Sequence, residues 1–151
     1  MNNITLAQAA LSDLDELVGL FDAYRQFYGR ASDVDAVRAF LLARFNHGES
    51  VLFLAREDHV AIGFAQLYPS FSSVSLARTF ILNDLFVAPQ ARRKGVGSKL
   101  LAAAVEFAKT VGAVRLSLST ATSNGTAQAL YQAAGWTRDV QFLVYQFTLP
   151  I

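Results

Sequence analysis

The sequence contains no cysteine, which excludes disulfides, thiolate metal sites and a cysteine nucleophile together. Any acyl transfer on this chain is therefore direct or uses another nucleophile. Histidine is nearly as scarce: His47 and His59 are the only two, too few for a typical histidine metal site, and both read as solvated loop residues. No run of about 18 apolar residues is present to span a bilayer. The opening Met-Asn-Asn-Ile-Thr lacks the basic and apolar regions of a secretory leader, so a soluble cytoplasmic protein is expected. An excess of one charge is missing too, since the formal net charge is +1, and nothing in the balance calls for nucleic acid as a bulk partner. What is present, 151 residues of which 53% are hydrophobic and 17% charged, suits one globular domain over residues 1–151 with a core that needs no cross-links.

Residues 4–9 read as a first strand. Ser12 and Asp13 can cap a helix on which Leu14, Leu17, Val18 and Phe21 keep helical spacing, ending near Gly29. A second helix is expected over 32–46, stopped at His47-Gly48. Residues 50–56 and 60–68 are β-rich and joined by Glu57-Asp58-His59, a hairpin signal, and 69–75 reads as a Ser-rich loop. Residues 76–87 form the longest strand candidate, apolar on both parities and hence the expected central strand, buried on both faces. A helix over 97–111 carries Leu100, Leu101, Ala104, Phe107, Ala108 and Val111 in one arc. A strand at 114–119, a helix at 125–134, a short strand at 136–138 and a last strand at 141–149 complete the chain. The sum is an α/β fold in which helices cover both faces of a mixed, mainly antiparallel sheet.

The most informative stretch is 81–101, an apolar strand, a proline stop, a cationic glycine turn and a helix. Exposed backbone N–H groups opening a helix, flanked by Arg92, Arg93 and Lys94, make a receptor for a polyanion, and Gly95 and Gly97 let the backbone approach it closely. Between Gln90 and Lys99 there are four cations and no acid, a patch matched to a pyrophosphate rather than to a duplex. A Walker A loop needs four residues between its first glycine and Gly-Lys-Ser/Thr, whereas Gly95 and Gly97 are separated by one. A Rossmann fingerprint would need a third glycine where Leu100 stands and an acidic residue about 20 positions on.

Arg92-x-x-Gly95-x-Gly97 directly after a strand resembles the loop by which the GNAT superfamily of N-acetyltransferases holds the pyrophosphate of coenzyme A. Downstream, Asn124-Gly125-Thr126-Ala127-Gln128-Ala129-Leu130-Tyr131-Gln132-Ala133-Ala134-Gly135-Trp136 resembles the second signature of the same superfamily. Asn83-Asp84-Leu85-Phe86-Val87 is similar to the corresponding strand of the histone-and-polyamine and diamine acetyltransferase subgroups.

The resemblance implies a GNAT fold whose central strand splays from its neighbour and receives acetyl-CoA in the gap. The pantetheine amides would then pair with backbone around Leu85, Phe86 and Val87, and the pyrophosphate would lie on Arg92, Arg93, Lys94, Gly95, Val96, Gly97 and Ser98. Acetyl-CoA is a co-substrate and no metal is required. Acetyl transfer to an amine needs a neutral amine, and removing the proton of an alkylammonium of pKa about 10.4 at pH 7.5 costs about 4 kcal/mol. A carboxylate, directly or through water, can take that proton. Asp84 is the nearest one, although adjacent strand residues point to opposite faces, so Asp84 and Asn83 are expected on different sides. Tyr131 matches the family's general acid beside the sulfur. Asn124 would serve the pantetheine or cap the Tyr131 helix. Tyr24 matches a substrate-contacting tyrosine of the diamine enzymes, and Asn83 aligns with an acidic residue there. Arg25 replaces an acid, which admits a substrate bearing a carboxylate; Tyr24, Arg25 and Tyr28 could equally form a helix surface.

The function implied is acetyl-CoA-dependent N-acetylation of a primary amine on a small molecule such as a polyamine or amino acid. A protein or peptide amine as acceptor, and a non-catalytic acyl-CoA-binding module on the same fold, stay open beside it. The aromatic, β-branched stretch 142–147 could pair across a two-fold axis, so a homodimer is expected.

Overall fold

The computed structural model describes residues 3–151; Met1 and Asn2, which open the reading of the N-terminus, lie outside the described residues. The chain divides into two compact units, the second starting at Thr120.

In the first unit five strands lie in chain order, β1 (Ile4–Gln8), β2 (Val51–Glu57), β3 (Val60–Ser72), β4 (Ala77–Val87) and β5 (Arg115–Ser117). The first three pairings are antiparallel and β4–β5 is parallel. Helices α1 (Leu14–Phe27) and α2 (Val34–His47) join β1 to β2, and α3 (Val96–Thr110) crosses from β4 to β5. Leu17, Val18 and Phe21 of α1 and Val37 and Leu41 of α2 bury against Leu52, Leu54, Phe64 and Phe86 on one face of the sheet. On the other face Phe107 of α3 stacks edge-on against Phe53 and Phe80, at 5.7 and 5.5 Å. The mixed sheet between two helical layers is the architecture the periodicities predict.

The hairpin turn is two residues, Asp58 and His59, both at positive φ (48° and 72°), as a tight β-hairpin requires. His47 ends α2 rather than lying in a loop. The stretch 69–75 is not a loop throughout, because β3 runs to Ser72. Pro69 is tolerated there because β2 stops opposite Leu67, so β3 is an edge strand on that side and loses no ladder bond. The strand at 76–87 is not the central one; β3 holds that place and is the longest, while β4 lies between β3 and β5.

Gly63 of β3 sits in a tight gap between β4 and the start of α3. A Cβ there would lie 2.8 Å from the Phe86 carbonyl oxygen and 3.4 Å from Leu100 and Val96. Gly63→Ala is therefore expected to destabilise by about 1–3 kcal/mol through overpacking. Differential scanning fluorimetry checks it, and an unchanged melting temperature would refute the tight fit.

Asp22 of α1 fastens the α1–α2 connection. Its carboxylate accepts from the Asp33 backbone N–H (2.8 Å), the Ser32 hydroxyl (2.7 Å) and the Gln26 amide (2.9 Å). These donors, the Asp33 N–H foremost and then the Ser32 hydroxyl, hold the carboxyl below the ordinary range against the opposing effect of burial. A depressed folded value means the stabilisation is present above the unfolded pKa of about 3.9 and is lost as pH falls through the folded value. Asp22→Asn should lower stability at pH 7 by about 1–3 kcal/mol, with the gap closing below about pH 4. Urea melts across pH test this; a gap that persists in acid would count against it.

The second unit, residues 120–151, holds α4 (Gly125–Ala133). Neither the strand expected at 136–138 nor that at 141–149 is formed. The stretch has strand-forming residues, but a strand exists only with a neighbour to complete its ladder.

Candidate active site

The sheet opens where the motifs lie. β5 accompanies β4 only from Thr79 to Ile81, so Leu85, Phe86 and Val87 have ladder partners on the β3 side alone, at Ala65, Phe64 and Gly63. Immediately after them a proline-initiated single turn, Pro89–Ala91, leads into the cationic loop. Arg93 adopts φ 66° and Gly95 φ 78°, which turns the chain into α3. Only Val96 of the loop is buried, at 2% exposure, anchoring the helix start while the first-turn N–H groups remain without intrahelical acceptors. This end of a 15-residue helix carries the positive end of its dipole.

The loop cations are not equivalent. Lys94 is paired with Glu57 at 3.0 Å, tying the loop to the β2–β3 hairpin. Arg92 donates from Nε to the Val87 carbonyl at 3.0 Å, and its guanidinium lies over the rings of Phe27 (5.2 Å) and Phe86 (5.9 Å). From Phe86 the aromatic surface continues to Tyr24, with centroids 5.7 Å apart, and from Tyr24 to Tyr28 at 5.1 Å. One wall of rings thus runs from the cationic loop to the next group of polar residues.

That group is built by a β-bulge. Gln66 pairs with Asp84, yet the next residue of β3, Leu67, pairs with Leu82. Asn83 is therefore an extra residue in β4, and the strand changes phase around it. Beyond the bulge Asp84 and Phe86 share the α1 face with Gln66 and Phe64; before it Phe80 and Leu82 face α3. Simple alternation, which sets Asn83 and Asp84 on opposite sides, fails here because it assumes an unbroken ladder. The Asn83 amide instead donates to Asp84 Oδ1 at 3.1 Å.

Asp84 is 5% exposed. Its carboxyl accepts from Gln66 Nε2 at 2.8 Å and from Asn83, and a hydrogen bond joins it to the Tyr24 phenol. All three groups are neutral. Burial, then the charge of Asp84 and the hydrogen bond to it, raise the Tyr24 phenol far above its ordinary value, with Tyr28 and Tyr68 adding smaller contributions. Tyr68 is pushed up to about 12, by burial first and Asp84 second, with Arg44 and a hydrogen bond from Gln66 pulling the other way. Both phenols are therefore proton donors at neutral pH, and Asp84 is the member of the group able to take a proton. Gln66 Oε1 is buried and has no hydrogen-bond partner among the described residues.

The structure thus brings together Tyr24, Asn83 and Asp84. Arg25, on the same helix, has Asp22 as its electrostatic neighbour instead. Gln66 and Tyr68 are additions that the reading of the sequence missed, although a glutamine inside the apolar run 60–68 was a visible signal of a buried polar contact.

In the second unit Asn124 is the N-cap of α4, its side-chain oxygen accepting from the Ala127 N–H at 3.1 Å. Gln128 secures the preceding turn through the Ala121 and Thr122 carbonyls, both at 3.0 Å. Tyr131 packs its ring against Trp136, centroids 6.2 Å apart, and its carbonyl accepts the Trp136 N–H at 3.0 Å. Among the described residues no group of three or more acidic or histidine side chains could hold a metal ion, and no helix is long and apolar enough to cross a membrane.

Comparison with known proteins gives concordant matches. Residues 16–136 match the acetyltransferase (GNAT) family. The chain is 46% identical over 147 residues to the uncharacterized N-acetyltransferase YhfO of Bacillus subtilis (strain 168), covering 97% of this chain and 99% of that protein. It is 30% identical over 107 residues to the aminoglycoside N(6')-acetyltransferase type 1 of Klebsiella aerogenes, covering 70% of each. A crystal structure of a probable acetyltransferase, 45% identical, superposes with a TM-score of 0.89 over 97% of both chains.

Proposed function

The chain belongs to the acetyltransferase (GNAT) family, and from that premise we propose that it moves the acetyl group of acetyl-CoA directly to the primary amine of a small molecule. The observation that carries this reading is Asp84, a buried carboxyl whose bonded partners are all neutral, so that its charge is left for an ammonium to answer. A 30% identical relative named for aminoglycoside acetylation supports a small-molecule acceptor. Acetyl-CoA is the donor of the family, and the loop at Arg92, Arg93, Lys94, Gly95, Val96, Gly97 and Ser98 offers the backbone amides and cations its pyrophosphate needs. The whole chain 1–151 forms the catalytic domain, and it works in the cytoplasm as a homodimer.

In the proposed reaction the ammonium docks between Tyr24, Asn83 and Asp84 and surrenders a proton to the Asp84 carboxylate, directly or through water. The freed nitrogen lone pair attacks the thioester carbonyl, the carbon–sulfur bond breaks, and Tyr131 supplies its phenolic proton to the departing thiolate. Leu85, Phe86 and Val87 hold the pantetheine by the strand edge beyond the reach of β5, where the Val87 carbonyl also accepts from Arg92, and Asn124, in capping α4, orients the helix that bears Tyr131. No covalent acyl-enzyme is formed.

The test is amine-dependent release of coenzyme A thiol from acetyl-CoA across polyamines, amino acids, amino sugars, aminoglycosides and lysine peptides. The chain has no cysteine to consume the thiol reagent. Release with small amines supports the proposal, release with peptides alone points to a protein acceptor, and acetyl-CoA binding without release with any amine points to an acyl-CoA-binding module. Within the panel, Arg25→Glu is expected to shift kcat/KM several-fold toward acceptors with a second cation, about 1 kcal/mol of altered charge interaction. An unaltered ranking would set Arg25 outside the pocket.

A further inference from the structure

Gln66 is 0% exposed, the most enclosed polar side chain among the described residues. Its neighbours along β3, Ala65 and Leu67, and its partner on β2, Leu52, are buried as well. An amide in apolar surroundings carries a cost unless its hydrogen bonds are made. An apolar side chain of the same size would fill the place without that obligation. The fold alone does not call for glutamine here.

The amide is satisfied on one side only. Nε2 donates to Asp84 Oδ2 at 2.8 Å, and the Tyr68 phenol receives a hydrogen bond from the same side chain. Oε1 is buried without a partner among the described residues. Turning the amide over would set Oε1 against the carboxylate, acceptor facing acceptor. The carboxylate therefore fixes the orientation, and Gln66 leaves its own carbonyl unpaired while presenting N–H to Asp84.

The register makes this contact direct. Gln66 and Asp84 are paired across the ladder, and the next pair, Leu67 with Leu82, already lies beyond the bulge. With Oδ2 on Gln66 and Oδ1 on Asn83, the carboxyl plane is fixed. An N–H donated to a carboxyl favours its charged form, and a carboxyl that is to take a proton must start charged. We propose that Gln66 is a positioning residue of the transfer reaction, holding the Asp84 carboxylate charged and aimed at the acceptor ammonium without itself touching a substrate. This rests on Asp84 as the base in the reading above and deepens it. The other groups facing Asp84 are Tyr24 of α1, with Tyr28 beyond it, and Tyr68 of β3, with Arg44 of α2 acting on Tyr68. The phenols of Tyr24 and Tyr68 are raised and stay protonated where a carboxyl titrates, and Arg44 stays charged there. None of them changes charge across that range.

The test is the pH profile of amine-dependent coenzyme A release by the full chain, by Gln66→Met, Gln66→Glu and Asp84→Asn, and by Gln66→Met combined with Asp84→Asn. A melting curve accompanies each. Gln66→Met keeps the volume and removes the donor. Its kcat/KM on the acid side is expected to fall about tenfold, one unit of displaced titration, and to return to within about twofold of the parent on the alkaline plateau. Gln66→Glu sets a second carboxyl against Asp84, and two that share a proton titrate apart, so its loss extends to higher pH. In the Asp84→Asn background Gln66→Met should change kcat/KM by less than about twofold, because it acts through Asp84. Folded variants with the parent's profile, or with a loss equal at every pH, overturn the proposal while Asp84 stands as the base. An acid limb that survives Asp84→Asn overturns the reading of Asp84 and the proposal with it. In the parent chain, without any substitution, NMR signals of the Gln66 side-chain amide should titrate together with the acid limb; signals that stay flat across it overturn the proposal.

Discussion

Replacing Asp84 by asparagine is expected to lower kcat/KM for the amine by a factor of about 10²–10⁴, the range of a positioned acid–base group, while the dissociation constant of acetyl-CoA stays unchanged. Asp84 accepts from Gln66 and Asn83 and is hydrogen-bonded to Tyr24, and an asparagine amide would turn at least one of those contacts into donor facing donor. The variant therefore loses the proton acceptor and also disturbs the site, at a cost of about 1–3 kcal/mol. Melting curves must accompany the kinetics, so that loss of activity in a folded protein is separated from unfolding. Steady-state rates with the preferred amine and isothermal titration with acetyl-CoA decide the matter. Full kcat/KM in a folded variant would remove Asp84 from the mechanism.

Tyr131→Phe should act on the other end of the reaction. The ring packs against Trp136 and phenylalanine keeps that ring, so only the hydroxyl is removed. A phenol can hand its proton to the leaving thiolate as it departs. The expected result is a kcat lower by about 10²-fold or more, with KM for both substrates little altered, since the hydroxyl is needed only as the carbon–sulfur bond breaks. Pre-steady-state measurement of acetyl transfer separates this from slow product release. A variant that turns over at the parent rate would take Tyr131 out of the proton inventory. In the proposed reaction Asp84 takes the proton of the amine and Tyr131 supplies that of the thiol, and their different KM and kcat signatures are the sharper comparison.

The cationic loop was legible in the sequence because its chemistry is local. Glycines at Gly95 and Gly97, three cations ahead of them and a strand before all of it can be read without knowing any neighbour. The helices were legible for the same reason, their apolar arcs being periodic and their caps adjacent. The bulge at Asn83 left no trace. Phe80, Leu82, Asp84 and Phe86 are all buried and all at even positions, so the alternation is unbroken in the text of the sequence although the strand changes face midway. Two covered faces make the burial pattern blind to which face a residue takes. Gln66 was overlooked because its neighbours are apolar and the carboxyl it donates to lies 18 positions away. The stretch 141–149 was read as a strand from its residue types alone, which cannot specify the ladder partner that a strand requires.

The single additional residue at Asn83 acts like a one-letter insertion in a reading frame. Phe80 and Leu82 are read by the α3 core, Asp84 and Phe86 by the opposite layer. A point substitution at Asp84 or Phe86 leaves the register of Phe80 and Leu82 intact. A deletion at position 83 has no such freedom, since it would throw one half out of frame. Such a strand tolerates a change of side chain more readily than a change of length.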